Sequence, residues 1–129
     1  MEQRTHRLAS GRLVGRPVRI GEGRAEVELL TTEEMAVDEY GLVHGGFTFG
    51  LADYAAMLAV NEPTVVLGEA EVRFLKPVKA GELLRAKAEL REDLGRKKVV
   101  WVEVFNEGGE KVFEGAFHCY VLEKHVLAR

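Results

Sequence analysis

At 129 residues with 47% hydrophobic and 30% charged side chains, the chain is long enough for one independent core, and a single domain over residues 1–129 is expected. A net charge of −3 gives no broad positive field for nucleic acid. One cysteine excludes an internal disulfide, and the opening Met-Glu-Gln-Arg-Thr-His-Arg-Leu lacks the apolar core of a signal peptide, so a cytoplasmic setting is expected.

Residues 1–10 read as a short polar helix or an arm. Arg12 to Ile20 and Arg24 to Thr31 read as two strands around the Gly21-Glu22-Gly23 turn. The second strand alternates, with Ala25, Val27 and Leu29 on one face and Glu26 and Glu28 on the other. Thr32 to Met35 resembles a capped single turn, and Ala36 to Val43 is the loop that delivers His44. From His44 to Val60 the chain has no Pro and is rich in Ala, Leu and Met, which predicts a helix of about four turns. It is apolar on nearly every side, so it is either buried or spans a membrane. The run falls short of the ~20 residues a span needs and carries a carboxylate, which favours burial inside a wrapping sheet.

Two features of this helix point beyond packing. Gly45 and Gly46 open it, where a ligand can approach the backbone and the first N–H groups lie unpaired at the positive end of the helix dipole. That arrangement suits an oxyanion or a polarised carbonyl oxygen. Asp53 is the second feature. Its helical neighbours Phe49, Gly50, Ala56 and Met57 offer no cation, so a buried carboxylate there needs a tertiary partner, water or a substrate. Gly45 and Asp53 stand eight residues apart, ~12 Å along a helix axis. One small reacting group hardly reaches both from a single chain. If both act on it they come from different subunits, so an oligomer is expected.

Asn61-Glu62-Pro63 ends the helix. Val65 to Leu75 reads as a strand with Val66, Gly68, Ala70, Val72 and Phe74 inward and Glu69, Glu71 and Arg73 outward. Lys76-Pro77 and Ala80-Gly81 mark a turn. Leu83 to Leu94 alternates Leu84, Ala86, Ala88 and Leu90 against Arg85, Lys87, Glu89 and Arg91. Lys97 to Phe105 is nearly all apolar and suggests a strand covered on both faces. Glu107-Gly108-Gly109-Glu110 turns into Lys111 to Leu122. The expected order is strand, strand, helix, then four strands in an antiparallel meander, with Gly68, Ala70, Ala86 and Ala88 making room for the helix.

His44-Gly45-Gly46 followed by Leu51-Ala52-Asp53 in a long apolar helix, with Val72 to Glu82 as strand and turn after it, resembles the hotdog-fold acyl-CoA thioesterases, nearest to the PaaI-like (phenylacetate-pathway) branch. The resemblance covers roughly residues 20–122. It implies an α+β hotdog fold, an antiparallel sheet wrapped around one long central helix, in a homodimer or dimer of dimers with the active site shared between subunits. It implies that the Gly45 N–H polarises the thioester carbonyl and that Asp53 of a neighbouring subunit is general base or nucleophile. His44 would position the loop or the carbonyl. Asp38 stands six residues before His44, where that branch commonly has Asn, and is either a loop cap or a second carboxylate.

The coenzyme enters as part of the substrate, with no further cofactor. Arg96, Lys97 and Lys98 after Gly95, and next Arg73 and Lys76, are the candidate holders of its phosphates; a solvated strand end is the alternative for the first three. His118, Cys119 and His125 lack metal-site spacing, and His118 and Cys119 read as packing residues. A sensor of the same fold that binds acyl-CoA without hydrolysing it is the alternative function. It ranks second because no output segment is visible in the 129 residues. A hydratase ranks third, since it needs acid and His together on the helix and His44 precedes it.

Overall fold

The computed structural model describes residues 1–128. Its elements are β1 (Arg16–Gly21), β2 (Arg24–Leu30), a 3₁₀ turn (Glu33–Met35), α1 (Gly45–Val60), β3 (Val65–Phe74), β4 (Leu83–Leu94), β5 (Lys97–Phe105) and β6 (Lys111–Val121). The strands form one antiparallel sheet in the order β1-β2-β4-β5-β6-β3, curled around α1. This is the expected hotdog arrangement. No helix among the described residues is long and apolar enough to cross a membrane.

The helix is held from all sides. Leu51, Ala52, Tyr54 and the run Ala55 to Ala59 are buried against Ala25, Val27, Leu29, Leu84, Ala86, Val100, Val102 and Val104 of the sheet. Alanine on both surfaces lets helix and strands approach closely, and each fully buried Leu or Met contributes about 2 kcal/mol. Asn61 ends the helix in the left-handed region (φ 53°), with its N–H bonded to the Met57 carbonyl at 2.8 Å.

Three expectations are corrected. The strands after the helix are not a four-strand meander: only β4-β5-β6 is, and β3 lies at the far edge beside β6. Residues 75–82 are therefore a crossover past two intervening strands, three strand spacings or ~14 Å. The turn signals in this segment are local and carry no information on which strand comes next. Val66 and Gly68 do not face the helix either. A bulge between Leu67 and Glu69 shifts the alternation, so Leu67, Ala70 and Val72 pack inward while the Tyr120 ring occupies the space beside Gly68. Last, β5 is fully buried on one face only. Val100, Val102 and Val104 face the core, whereas Trp101 and Phe105 lie half-exposed beneath Arg91 and Lys87.

The first strand also starts later than expected, because Ser10 organises a turn. Its carbonyl accepts from Val14 N–H at 2.8 Å and its hydroxyl from Leu13 N–H at 3.2 Å. Residues 1–10 lie as an arm.

Beneath the start of α1, Phe49, Phe74, Phe113 and Phe117 form an aromatic cluster, with Phe74 and Phe113 edge-to-face at 5.1 Å between centroids. Strand β3 joins this cluster through a tight approach at Gly115. A methyl group there would sit 2.5 Å from Val72 Cγ1 and 2.7 Å from the Glu71 carbonyl oxygen. Gly115→Ala is thus expected to destabilise the fold by about 1–3 kcal/mol through overpacking, read from chemical denaturation. An unchanged midpoint would mean that β3 moves away freely.

Candidate active site

Two backbone segments deliver the helix start. The loop 36–43 pairs with the crossover 75–82: Val43 N–H donates to the Val78 carbonyl at 2.9 Å and Ala80 N–H to the Gly41 carbonyl at 2.8 Å. His44 N–H then donates to Met35 at 2.9 Å, fixing the entry into α1. Asp38 closes this loop, its Oδ1 accepting from the N–H groups of Tyr40 (3.0 Å) and Leu42 (3.2 Å). The loop-holding alternative for Asp38 therefore has a geometry.

His44 is the N-cap of α1. Its Nδ1 accepts from the Gly46 N–H at 2.7 Å, so the ring is the Nε2–H tautomer with that edge outward. Gly46 has its amide engaged in this way, and a Cβ on it would lie 2.8 Å from His44 Nδ1. The Gly45 N–H, in contrast, donates to no acceptor among the described residues. A cavity of about 260 Å³ beside it is lined by Gly45, Thr48, Phe74, Lys76 and Val78. Phe74 packs so closely that a Cβ on Gly45 would meet its ring at 3.1 Å. The aromatic cluster thus reaches the candidate donor.

Asp53 lies two turns further along the helix and opens into a different cavity, of about 610 Å³, with Met57, Val65 and Leu67 on its apolar wall. Its Oδ1 is buried without a hydrogen-bond partner, and no ion pair reaches the carboxylate among the described residues. Burial pushes its pKa up to about 6. The buried Cys119 thiol is pushed up to about 12, by its own burial first and by the Asp53 charge second. It is thus an inert thiol beside the carboxylate. Within one chain, Gly45 and Asp53 do not meet: they serve two separate cavities.

The candidate phosphate holders are dispersed. Arg73 pairs with Glu114 on the outer sheet face, Lys76 with Glu110 at 3.1 Å, Arg96 with Glu123, and Lys98 with Asp93 at 2.8 Å. Lys97 has no ion pair among the described residues and stands opposite Tyr120. Of Arg73, Lys76, Arg96 and Lys97, only Lys76 lines either cavity. Among the described residues, no three His, Cys, Asp or Glu side chains gather as metal ligands.

Sequence reasoning missed the other wall of the Asp53 cavity. Arg4, Thr5, His6 and Arg7 of the arm line it. The cluster of basic residues was visible in the sequence, but no periodicity or motif connects residue 4 to residue 53. The connection is made by Asn61, whose Oδ1 accepts from Arg4 N–H and whose Nδ2 donates to the Glu2 carbonyl, both at 2.8 Å.

Methylthioribose-1-phosphate isomerase of Aquifex aeolicus is 56% identical over 122 residues, which is 95% of this chain and 26% of that protein. Transcription factor FapR of Caldanaerobacter subterraneus is 28% identical over 123 residues, 95% of this chain and 61% of its own length. The chain therefore spans about a quarter of the first relative and under two thirds of the second. Among solved structures, an uncharacterized protein of Pyrococcus horikoshii is 71% identical with a TM-score of 0.98, over 99% of this chain and 98% of that one. A Streptococcus mutans protein bound to acetyl CoA is 26% identical (TM-score 0.78, 86% and 90% covered). The Escherichia coli PaaI protein of the phenylacetic acid degradation operon is more distant than the Pyrococcus protein, at 28% identity and TM-score 0.75 over 81% of each chain. A family profile described as the thioesterase superfamily matches residues 40–113, more than half of the chain. That span takes in the glycine turn, Asp53 and the crossover, and the chain belongs to the thioesterase superfamily.

Proposed function

We propose that the protein is an acyl-CoA thioesterase of the PaaI-like branch, with Asp53 as general base and the Gly45 N–H as oxyanion donor. The observation that carries this reading is Asp53, a cavity-facing carboxylate with an unpartnered oxygen and a pKa near 6. Such a group is ionised at pH 7 yet basic enough to take a proton in a transition state. Water attacks the thioester carbon as its proton passes to Asp53. The carbonyl oxygen becomes an oxyanion at the Gly45 N–H, where the helix dipole favours negative charge. Collapse breaks the C–S bond and releases the acid and the coenzyme thiol, which takes the proton back from Asp53. His44 and Asp38 hold the loop that presents Gly45, and the outward Nε2–H of His44 offers a further donor. The acetyl-CoA-bound Streptococcus mutans relative and the Escherichia coli PaaI relative support the ligand class and the branch.

In this reading each site takes Gly45 from one subunit and Asp53 from another, because one helix holds them ~12 Å apart. The protein is then a dimer or a dimer of dimers. Its exposed edge strands, β1 and β3, are surfaces through which copies could pair. The alternative reading, an acyl-CoA-binding module without hydrolysis, is favoured by the similarity to a transcription factor. Tight acyl-CoA binding without turnover would select it.

Three outcomes test the enzyme reading. Asp53→Asn keeps the shape and removes the base, so kcat should fall by about 10²–10⁴ while the melting temperature holds or rises, the desolvation penalty being gone. A variant that melts lower but hydrolyses its best acyl-CoA at the wild-type rate would make Asp53 structural. The pH dependence has a definite sign. In the wild type, kcat/KM should rise with pH through about 6 and level off as Asp53 ionises. Stability should move the other way over the same interval. The native pKa lies above the ordinary value of 3.8, so between those two values the folded state holds more proton than the unfolded state, and this group's contribution falls as pH rises. Denaturation from pH 4 to 7 should show a slope that Asp53→Asn removes. Subunit sharing is tested by mixing. Asp53→Asn and Gly45→Val chains, each inactive alone, should recover roughly a quarter of wild-type activity when co-assembled, since half the oligomers are mixed and one of their two sites is intact. No recovery would place both groups in one chain.

A further inference from the structure

The arm, residues 2–8, is built into the fold. Besides the two bonds to the buried Asn61, Gln3 Nε2 donates to the hydroxyl of the buried Tyr54 at 3.0 Å. His6 adopts φ 55°, uncommon for a residue with a side chain, and its Nδ1 lies 2.8 Å from Thr5 Oγ1. These contacts bring the arm across the mouth of the Asp53 cavity, opposite the apolar wall of Met57, Val65 and Leu67.

The charge on this wall is one-sided. Arg4 and Arg7 line the cavity, and Asp53 is its only acid. The arginines do not neutralise Asp53, whose shift has burial as its cause and no cation. Arg4 has one loose contact to Glu62 at 3.7 Å, with both side chains exposed, a pair of little worth. Arg7 has no ion pair or hydrogen bond among the described residues. His6 is no substitute cation, because burial lowers its pKa. The cavity thus combines an apolar wall, a deep carboxylate and two guanidinium groups, Arg4 weakly paired and Arg7 unpaired among the described residues. At about 610 Å³ it falls within the size range of small-molecule sites.

Resting on the reading of Asp53 as the reacting carboxylate, we propose that the arm is a wall of the ligand site, where Arg4 and Arg7 bind an anionic group of the thioester. That group is a carboxylate ending the acyl chain or a phosphate of the coenzyme. Guanidinium forks bind both oxyanions in the same bidentate way. The coenzyme-phosphate role expected for Arg73, Arg96 and Lys97 would on the second source pass to the arm.

The test reads binding by calorimetry, with thioethers that cannot be hydrolysed. The probes are S-butyl-coenzyme A, S-(3-carboxypropyl)-coenzyme A and S-butyl-pantetheine, which lacks phosphates. The Arg4→Gln/Arg7→Gln double variant and Arg7→Glu are compared with wild type, melting temperature serving as the folding control. Loss of a charge-assisted contact should weaken binding about tenfold or more, and Arg7→Glu more than the neutral change. A loss confined to the carboxypropyl probe supports the inference and identifies an acyl carboxylate. A loss on both coenzyme probes and none on the pantetheine supports it and identifies a phosphate. Unchanged affinities, or equal losses on all three probes, overturn it while leaving hydrolysis by the wild type untouched. Wild-type binding without turnover overturns the hydrolase reading alone, and no wild-type binding of any probe overturns both.

Discussion

Enclosing a helix that is apolar on nearly every side while leaving its single carboxylate unpaired is the constraint on which this structure depends. Leu51, Ala52 and the run Ala55 to Ala59 need a cover on every side, and a single sheet supplies it by curling around them. The same cover strips water from Asp53, whose Oδ1 gains no bond in exchange. Burying an ionised group without a partner is unfavourable, and the carboxylate responds by holding its proton more tightly. The apolar contacts of the surrounding helix turns offset that cost. Stability is given up locally, and the result is a carboxylate whose proton affinity is raised toward neutral pH.

Position along the helix separates the two groups of the proposed site. The unbonded N–H of Gly45 belongs to the first turn, where dipole and orphan donors lie, whereas Asp53 lies two turns further along, among the buried residues Leu51 to Ala59. Each has its own cavity and its own supports: the Phe74 ring, the Asp38 loop and the crossover for Gly45, and the arm and the start of β3 for Asp53. Strand β3 touches both. Phe74 at its end packs on Gly45, and Val65 and Leu67 at its start line the Asp53 cavity. One edge strand thus forms walls of both cavities.

Charged residues outside the helix divide by partner. Arg73 and Glu114, Lys111 and Glu103, and Arg85 and Glu28 pair across neighbouring strands on the outer sheet face. The exposed cross-strand pairs contribute modestly, while Glu114, 8% exposed, is held between Arg73 and Lys111. Arg7 stands apart, for it lies on a pinned segment beside a cavity with no acid on its own side. A cation's chemical availability follows from what faces it across the tertiary fold, which neighbours in sequence do not report.

The elements were legible wherever the pattern is local. The alternation of Leu84, Ala86 and Ala88, the long apolar run from Phe47, and the glycines before it mark strand, buried helix and helix start, because side-chain period and helix-end chemistry act over a few residues. The isolation of Asp53 from any cation on its own helix was equally readable, as was its distance from Gly45. The strand order was not. Lys76-Pro77 and Ala80-Gly81 signal a change of direction, but the placement of β4 beside β2 follows from the full ladder of Ala25 to Ala88 and Leu29 to Leu84. The bulge at Gly68 depends on a Tyr120 ring more than fifty residues away. The arm reaches Asp53 only through Asn61, whose side chain bonds backbone atoms nearly sixty residues earlier. The sequence by itself determined the helix, its buried acid and its glycine start. Tertiary structure alone decided which strands neighbour, which cavity each group faces and which cations stay uncommitted, because those depend on contacts whose partners are distant in the chain.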